Sequence, residues 1–325
     1  MRPQLQAVAA RNGGVVTRGD ALAAGYHERE LRTLTGHYGA WVVVRRGCYV
    51  ERELWDWLDP DRRYVLLVRA ALLAVGRGAV PSHGSAAVLL GIPMRLHWRE
   101  LVHVTRAGVT GSRTEGGVKH HRAGFDETDL TVAQGVRCTG LARTAVDVAR
   151  EHGFEDGVVT SDAALRLGAT RADLAQALRR MPQWPHVSPA HAAIAVADGG
   201  AATIGESLLR LMVLELDIGV PETQYVVREG SRWASADLRV GRHLFEFDGR
   251  VKYVGRALGG IADRPAHEVL WDEKQREDWL RRAGGGYGVS RVVWREMLGA
   301  ERRRTLRRLW NEYQATVARF GSQTG

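Results

Sequence analysis

Ala236-Asp237-Leu238-Arg239-Val240, then Leu244-Phe245-Glu246-Phe247-Asp248-Gly249 with Lys252 behind it, is the stretch that decides the fold of this 325-residue chain. Apolar and polar residues alternate through both runs and through Tyr225-Val226-Val227 upstream, and Gly230 and Gly241 punctuate them. That pattern predicts strands. Successive strand side chains point to opposite faces, so Glu246 and Asp248 emerge on one side, about 6 to 7 Å apart, while Phe245 and Phe247 face the core. Carboxylates so placed repel each other. A hard divalent cation such as Mg²⁺, which prefers oxygen ligands, relieves that repulsion and can activate water or stabilise a phosphoryl transition state. The competing reading is a solvated strand end, with a turn beginning at Asp248-Gly249.

Lysine usage points to the same region. The chain holds 46 Lys plus Arg, but only Lys119, Lys252 and Lys274 are lysines, and two of these fall beside the acidic cluster. A compact ammonium can orient water or shift its pKa in ways that a guanidinium cannot. Lys274 lies in a predicted helix over Ala266 to Arg282, whose apolar positions include Val269, Leu270 and Leu280; an ordinary helical ion pair with Asp278 is its alternative role. Upstream, Thr203-Ile204-Gly205-Glu206 precedes Leu208, Leu209, Leu211, Met212 and Leu214. This is the form of a capping box opening a buried helix, so Glu206 serves the cap, adds a fourth acid to the strand carboxylates, or does both.

In order, the helix with Glu206, a strand, the strand with Asp237, the strand with Glu246, the helix with Lys274 and a last strand at Val289 to Trp294 resemble the PD-(D/E)xK nuclease-like fold. More narrowly, Glu206-Ser207, Asp237, Glu246-Phe247-Asp248-Gly249, Glu273-Lys274-x-x-Glu277-Asp278 and Val289-Ser290-Arg291-Val292 resemble the branch related to very-short-patch repair endonucleases. The likeness covers roughly residues 200 to 300. It implies metal ligation by Asp237, by Glu246 and by the backbone carbonyl of Phe247, with Mg²⁺ or Mn²⁺ as the ion. The general motif wants lysine two residues after Glu246, and this chain has Asp248 there. Lys252 or Lys274 would have to supply the positive charge.

The amino-terminal end carries a different signal. Leu5, Val8 and Ala9 mark a first helix, Thr17 caps a second through Asp20 to Ala24 that stops at Gly25, and a third runs from His27 to Thr35. Trp41 to Val50 then alternates into a basic hairpin. Three short helices and such a hairpin form a winged helix-turn-helix, with Arg29 and Arg32 on the reading helix and Arg45 and Arg46 on the wing. A small helical module with solvated arginines is the alternative. This segment, about residues 1 to 55, resembles the amino-terminal domain of AbiEi-type antitoxins, and the likeness continues loosely into Ser82 to Gly91. It implies a regulator of a toxin-antitoxin operon with a cognate toxin as partner.

Between these ends, Pro60 to Val75 and Ser82 to Leu90 read as helices, and Val102 to Thr105 and Val118 to His121 as strands. Helices are also expected to open at Arg143 and at Ser161, with Asp147 and Asp162 as caps or ion-pair partners. Of His83, His103, His120 and His121, the adjacent pair must face opposite sides of a strand, and no other histidine has metal-ligand spacing. Core or surface histidines are therefore expected. Cys48 and Cys138 make neither a disulfide framework nor a zinc site.

The net charge of +9 favours a polyanionic partner. From Arg281 onward ten arginines face three glutamates, with Arg302, Arg303, Arg304, Arg307 and Arg308 on one predicted helix able to clamp phosphates. No apolar leader and no run of eighteen apolar residues is present, so a cytoplasmic protein without a membrane partner is expected. The expectation is an α+β multidomain chain: a winged helix-turn-helix (1–55), an α/β middle domain (56–195) and a restriction-endonuclease-like α/β domain (196–325). It would bind duplex DNA, either as an Mg²⁺-dependent endonuclease or as a non-catalytic antitoxin and repressor.

Overall fold

The computed structural model describes residues 1–76, 78–94, 101–107, 111–249 and 266–321. It is a mixed α+β chain built from several small sheets and divides into two compact units, Met1–Thr160 with Ala169–Ala195, and Ser161–Gly168 with Val196–Gly325.

The first unit opens with α1 (Pro3–Arg11), β1 (Val16–Thr17), α2 (Arg18–Ala23), α3 (Glu28–Leu34), β2 (Trp41–Arg45) and β3 (Cys48–Glu51). Thr17 caps α2 as its sequence position predicts: its hydroxyl accepts from Asp20 N at 3.1 Å, while Asp20 Oδ2 accepts from Thr17 N at 2.9 Å. The strands form a sheet in the order β1-β3-β2. Leu5, Val16, Ala21, Tyr26, Leu31, Trp41 and Tyr49 bury together beneath the helices. Tyr26 and Trp41 rings meet at 5.1 Å.

After α4 (Arg52–Trp57) comes α5 (Pro60–Val75), capped by Asp59 and started by Pro60 at a position where its missing N–H costs nothing. Then follow β4 (Val80–Pro81), α6 (His83–Leu90), β5 (Val102–Arg106), β6 (Arg113–Glu115) and β7 (Val118–Arg122), whose sheet order is β4-β5-β7-β6. β5 and β7 are parallel, with His103 opposite Lys119 and Thr105 opposite His121. Tyr64, Val68, Ala86, Leu89, Val104, Val118 and Cys138 form the core between α5, α6 and this sheet. A hairpin of β8 (Leu130–Ala133) and β9 (Val136–Thr139) leads to α7 (Leu141–His152), α8 (Phe154–Arg166), α9 (Arg171–Arg179) and α10 (Val187–Val196). Ser161 therefore lies inside α8 and does not open a helix: Gly153, at φ 93, ends α7, and the chain turns helical again at Phe154.

The second unit consists of α11 (Ile204–Glu215), β10 (Glu222–Glu229), β11 (Arg232–Val240), β12 (His243–Asp248), α12 (Ala266–Leu280), β13 (Gly288–Val293) and α13 (Gly299–Phe320), together with the end of α8. Its sheet order is β10-β11-β12-β13, antiparallel except for the parallel β12–β13 pair. The turns at Gly230 and Gly241 have φ of 59° and 56°, conformations that a side chain disfavours. Among the described residues, no helix is long and apolar enough to cross a membrane.

Candidate functional site

In the second unit, α11 approaches β12 closely enough that a Cβ on Gly205 would lie 2.2 Å from Phe247 Cε1. The glycine is thus required by contact. Phe247 is 8% exposed, and Trp294 meets its ring edge-on at 5.1 Å. β11 and β12 pair from Leu238↔Phe245 to Val240↔His243, and beyond that ladder Asp237 Oδ2 accepts the Phe247 N–H at 2.7 Å. A carboxylate here replaces a backbone acceptor and fixes Asp237 beside Glu246.

Glu246 is buried, with 6% exposure, so the solvated-strand-end alternative fails for it: β12 lies between neighbours on both sides. Its two oxygens accept from Arg276, Nη2 to Oε1 at 2.6 Å and Nη1 to Oε2 at 3.2 Å, a bidentate fork. Arg291 Nε stands 3.3 Å from Oε2 as a second cation. Arg276 also donates to the Ser235 carbonyl, and Arg291 is close to Glu277 as well. Asp248 Oδ1 is buried with no hydrogen-bond partner among the described residues. Glu206 does serve the cap: its oxygens accept from Ala202 N at 2.8 Å, Thr203 Oγ1 at 3.0 Å and Gln224 Nε2 at 2.9 Å. Gln224 reaches it from a left-handed kink in β10, φ 51°.

Lys274 is exposed on α12. Residues two apart on a helix point about 200° apart, so only one of Lys274 and Arg276 can face the sheet, and Arg276 does. Lys252 lies outside the described residues. An Mg²⁺ seat needs carboxylate oxygens converging on a common point and turned toward the ion. Asp248 Oδ1 has no hydrogen-bond partner among the described residues, but Glu246 is already neutralised by two guanidiniums, so the donor set in this arrangement does not fit the ion. Sequence reading missed Arg276 and Arg291 because nothing in an arginine-rich chain distinguishes a buried ion-pair partner from a solvated one.

In the first unit, Arg29 and Arg32 are exposed on α3, and Arg46 is exposed at the β2–β3 turn beside the half-buried Arg45. A groove of about 400 Å³ is lined by Arg45, Arg46, Arg106, Arg113 and His120, with Glu115 among them. Arg106 and Arg113, from β5 and β6, join the hairpin arginines only through the fold. In the second unit, Arg303 and Arg307 are exposed on α13 and line a groove with Ala300, Arg304 and Leu306. By contrast, Arg302 pairs with Glu215 at 2.5 Å, and Arg308 pairs with Glu296 and Glu312.

The histidines depart from expectation. His83, His103 and His121, from α6, β5 and β7, are all buried and present nitrogens within 4.8 Å of one another. His120 does face the other side of the strand, into the arginine groove. Local spacing had no way to reveal the trio, since its members lie on three elements. Burial holds His103 down at about 4 and His121 at about 3, and pushes His83 well below the ordinary imidazole value. All three are therefore neutral near pH 7.

The fold and these sites define an α+β multidomain protein with a buried carboxylate–arginine cluster and exposed arginine surfaces. No family model matches the chain. It is similar to two uncharacterized proteins of Mycobacterium tuberculosis, MT2308 of strain CDC 1551 and Rv2248 of strain H37Rv, each 32% identical over 200 residues that cover 60% of this chain and 68% of the relative. The chain belongs to the family of these mycobacterial proteins.

Proposed function

We propose that the chain is a duplex-DNA-binding regulator of the AbiEi-like kind. In this reading residues 1–55 act as a winged helix-turn-helix, and the second unit is a PD-(D/E)xK-like domain kept for its shape without turnover. The observation that carries the reading is the grip of Arg276 and Arg291 on Glu246, which leaves the carboxylate that the nuclease chemistry needs paired with cations. The arginines of α3, of the hairpin and of the adjoining groove supply phosphate contacts, and Arg29 and Arg32 reach toward base edges. A cognate toxin is the protein partner that the reading implies. The rival reading, an Mg²⁺- or Mn²⁺-dependent endonuclease, is favoured by one observation, the buried Asp248 Oδ1 without a hydrogen bond among the described residues.

One experiment separates them. Labelled duplex is titrated with full-length protein at several salt concentrations, and supercoiled plasmid is incubated with Mg²⁺, Mn²⁺ or chelator, with Asp237→Ala alongside. The expected result is duplex binding whose log affinity falls linearly with log salt, by roughly 0.9 per phosphate neutralised, with a shallower slope in the Arg45→Ala/Arg46→Ala variant and no nicking. Metal-dependent nicking that Asp237→Ala abolishes would overturn the regulator reading and establish the nuclease.

A further inference from the structure

We propose that His83, His103 and His121 form a binding site for one divalent cation of the zinc class, each residue giving one imidazole nitrogen. The three come from the start of α6, the middle of β5 and the end of β7, with exposures of 4%, 5% and 8%. One nitrogen from each ring lies within 4.8 Å of those from the other two. Three ligands of a tetrahedral zinc, each about 2.0–2.1 Å from the ion, sit about 3.3 Å apart. His103 Nδ1 and His121 Nε2 are already 3.0 Å apart, sharing one proton. For both to ligate, that proton moves to the far nitrogen of its own ring, so the ion enters with no net proton release.

His83 completes the set. Its Nδ1 lies 2.9 Å from Ser82 Oγ; with Nδ1–H as the donor in that pair, Nε2 is left unprotonated as the ligand, the tautomer that an oriented outer partner fixes at metal-bound imidazoles. His83 stacks on His121 with centroids 3.6 Å apart and planes at 15°, so binding the ion through both rings requires the His83 ring to turn out of this stack. Two features separate this cluster from ordinary packed side chains. His83 holds φ at 49°, a left-handed backbone that strains a non-glycine residue and that collects at functional sites. Buried hydroxyls also surround the trio, with Thr105 Oγ1 donating to Ser82 Oγ at 2.7 Å and Ser85 Oγ accepting from the backbone N–H of His103 at 2.8 Å. The neighbouring charges are paired among themselves, Lys119 with Glu151, Arg143 with Asp129 and Asp147, and Arg150 with Asp147. Neutral imidazoles are thus the donors that the site offers, a preference for zinc, cobalt or nickel over magnesium. Three protein ligands leave a fourth position open.

The test uses tag-free, chelator-stripped full-length protein titrated with Co²⁺, then Zn²⁺. The expected result is a visible ligand-field spectrum of low-coordinate cobalt that saturates at one equivalent and is displaced by zinc. His103→Gln and His121→Gln should weaken zinc binding at least about tenfold, and His120→Gln, on the opposite face, should leave it unchanged. Absence of a saturable cobalt spectrum in the wild-type protein would overturn the proposal, as would equal binding by His121→Gln. Because the wild-type spectrum decides by itself, misfolding of a variant does not protect the idea.

Discussion

Replacing Gly205 with alanine tests how α11 is seated on β12. The new Cβ would lie 2.2 Å from Phe247 Cε1 and 2.4 Å from both Cδ1 and Cζ, against an ordinary carbon–carbon separation of about 3.5–4.0 Å. Either the ring or the helix must therefore move by roughly 1.5 Å. The ring has little room, since Trp294 stands edge-on to it and the Phe247 N–H is tied to Asp237. Overpacking of this kind costs about 1–3 kcal/mol, and the confinement argues for the upper end. The gain in helix propensity from Gly to Ala returns at most about 1 kcal/mol. A net loss of about 2 kcal/mol follows, which in urea, with a slope of about 2 kcal/mol per molar, lowers the unfolding midpoint by about 1 M. Phe247→Leu in the Gly205→Ala background should recover part of the loss, giving a coupling energy above about 0.5 kcal/mol. A Gly205→Ala protein within about 0.5 kcal/mol of wild type, or more stable than it, would refute the close-contact argument.

Two further outcomes follow from buried charges. Arg210 holds Asp162 through contacts of 2.9 Å to both oxygens, with side chains 4% and 1% exposed, so Arg210→Ala should cost about 3–5 kcal/mol in urea unfolding, and Arg210→Met with Asp162→Asn should recover much of it. Burial keeps His103 at about 4, His121 at about 3 and His243 at about 4, whereas an unfolded imidazole titrates near 6.5. The unfolded chain binds more protons below that value, so stability is full above pH 6.5 and falls by about 1–2 kcal/mol per histidine by pH 5. Asp147 and Asp162, whose carboxyls burial pushes up, act in the opposite sense at lower pH. Denaturant midpoints measured from pH 7.5 to pH 5 check this, and a flat profile would contradict it.

Much of the secondary structure was legible because its determinants are local. The Thr17 and Thr203 caps, the Pro60 start, the glycine turns and the alternation through Ala236–Asp248 each act within a few residues, and the elements form where those signals fall. The Ser161 boundary was misread because apolar and polar residues inside a buried helix carry no start signal of their own. The acidic cluster was legible as a set of positions but not as an environment.

By itself, the sequence determined the order of helices and strands, the acids that share adjoining strands, and the arginine-rich surfaces, since periodicity and composition act along the chain. Tertiary structure alone decided that Arg276 rather than Lys274 faces Glu246, that Glu206 is held by its cap and Gln224, and that three histidines from three elements meet in one core. Each of these depends on which side chains arrive from distant segments and on how completely water is excluded around them. Burial then turns a charge or an imidazole into either a fixed partner or a potential ligand.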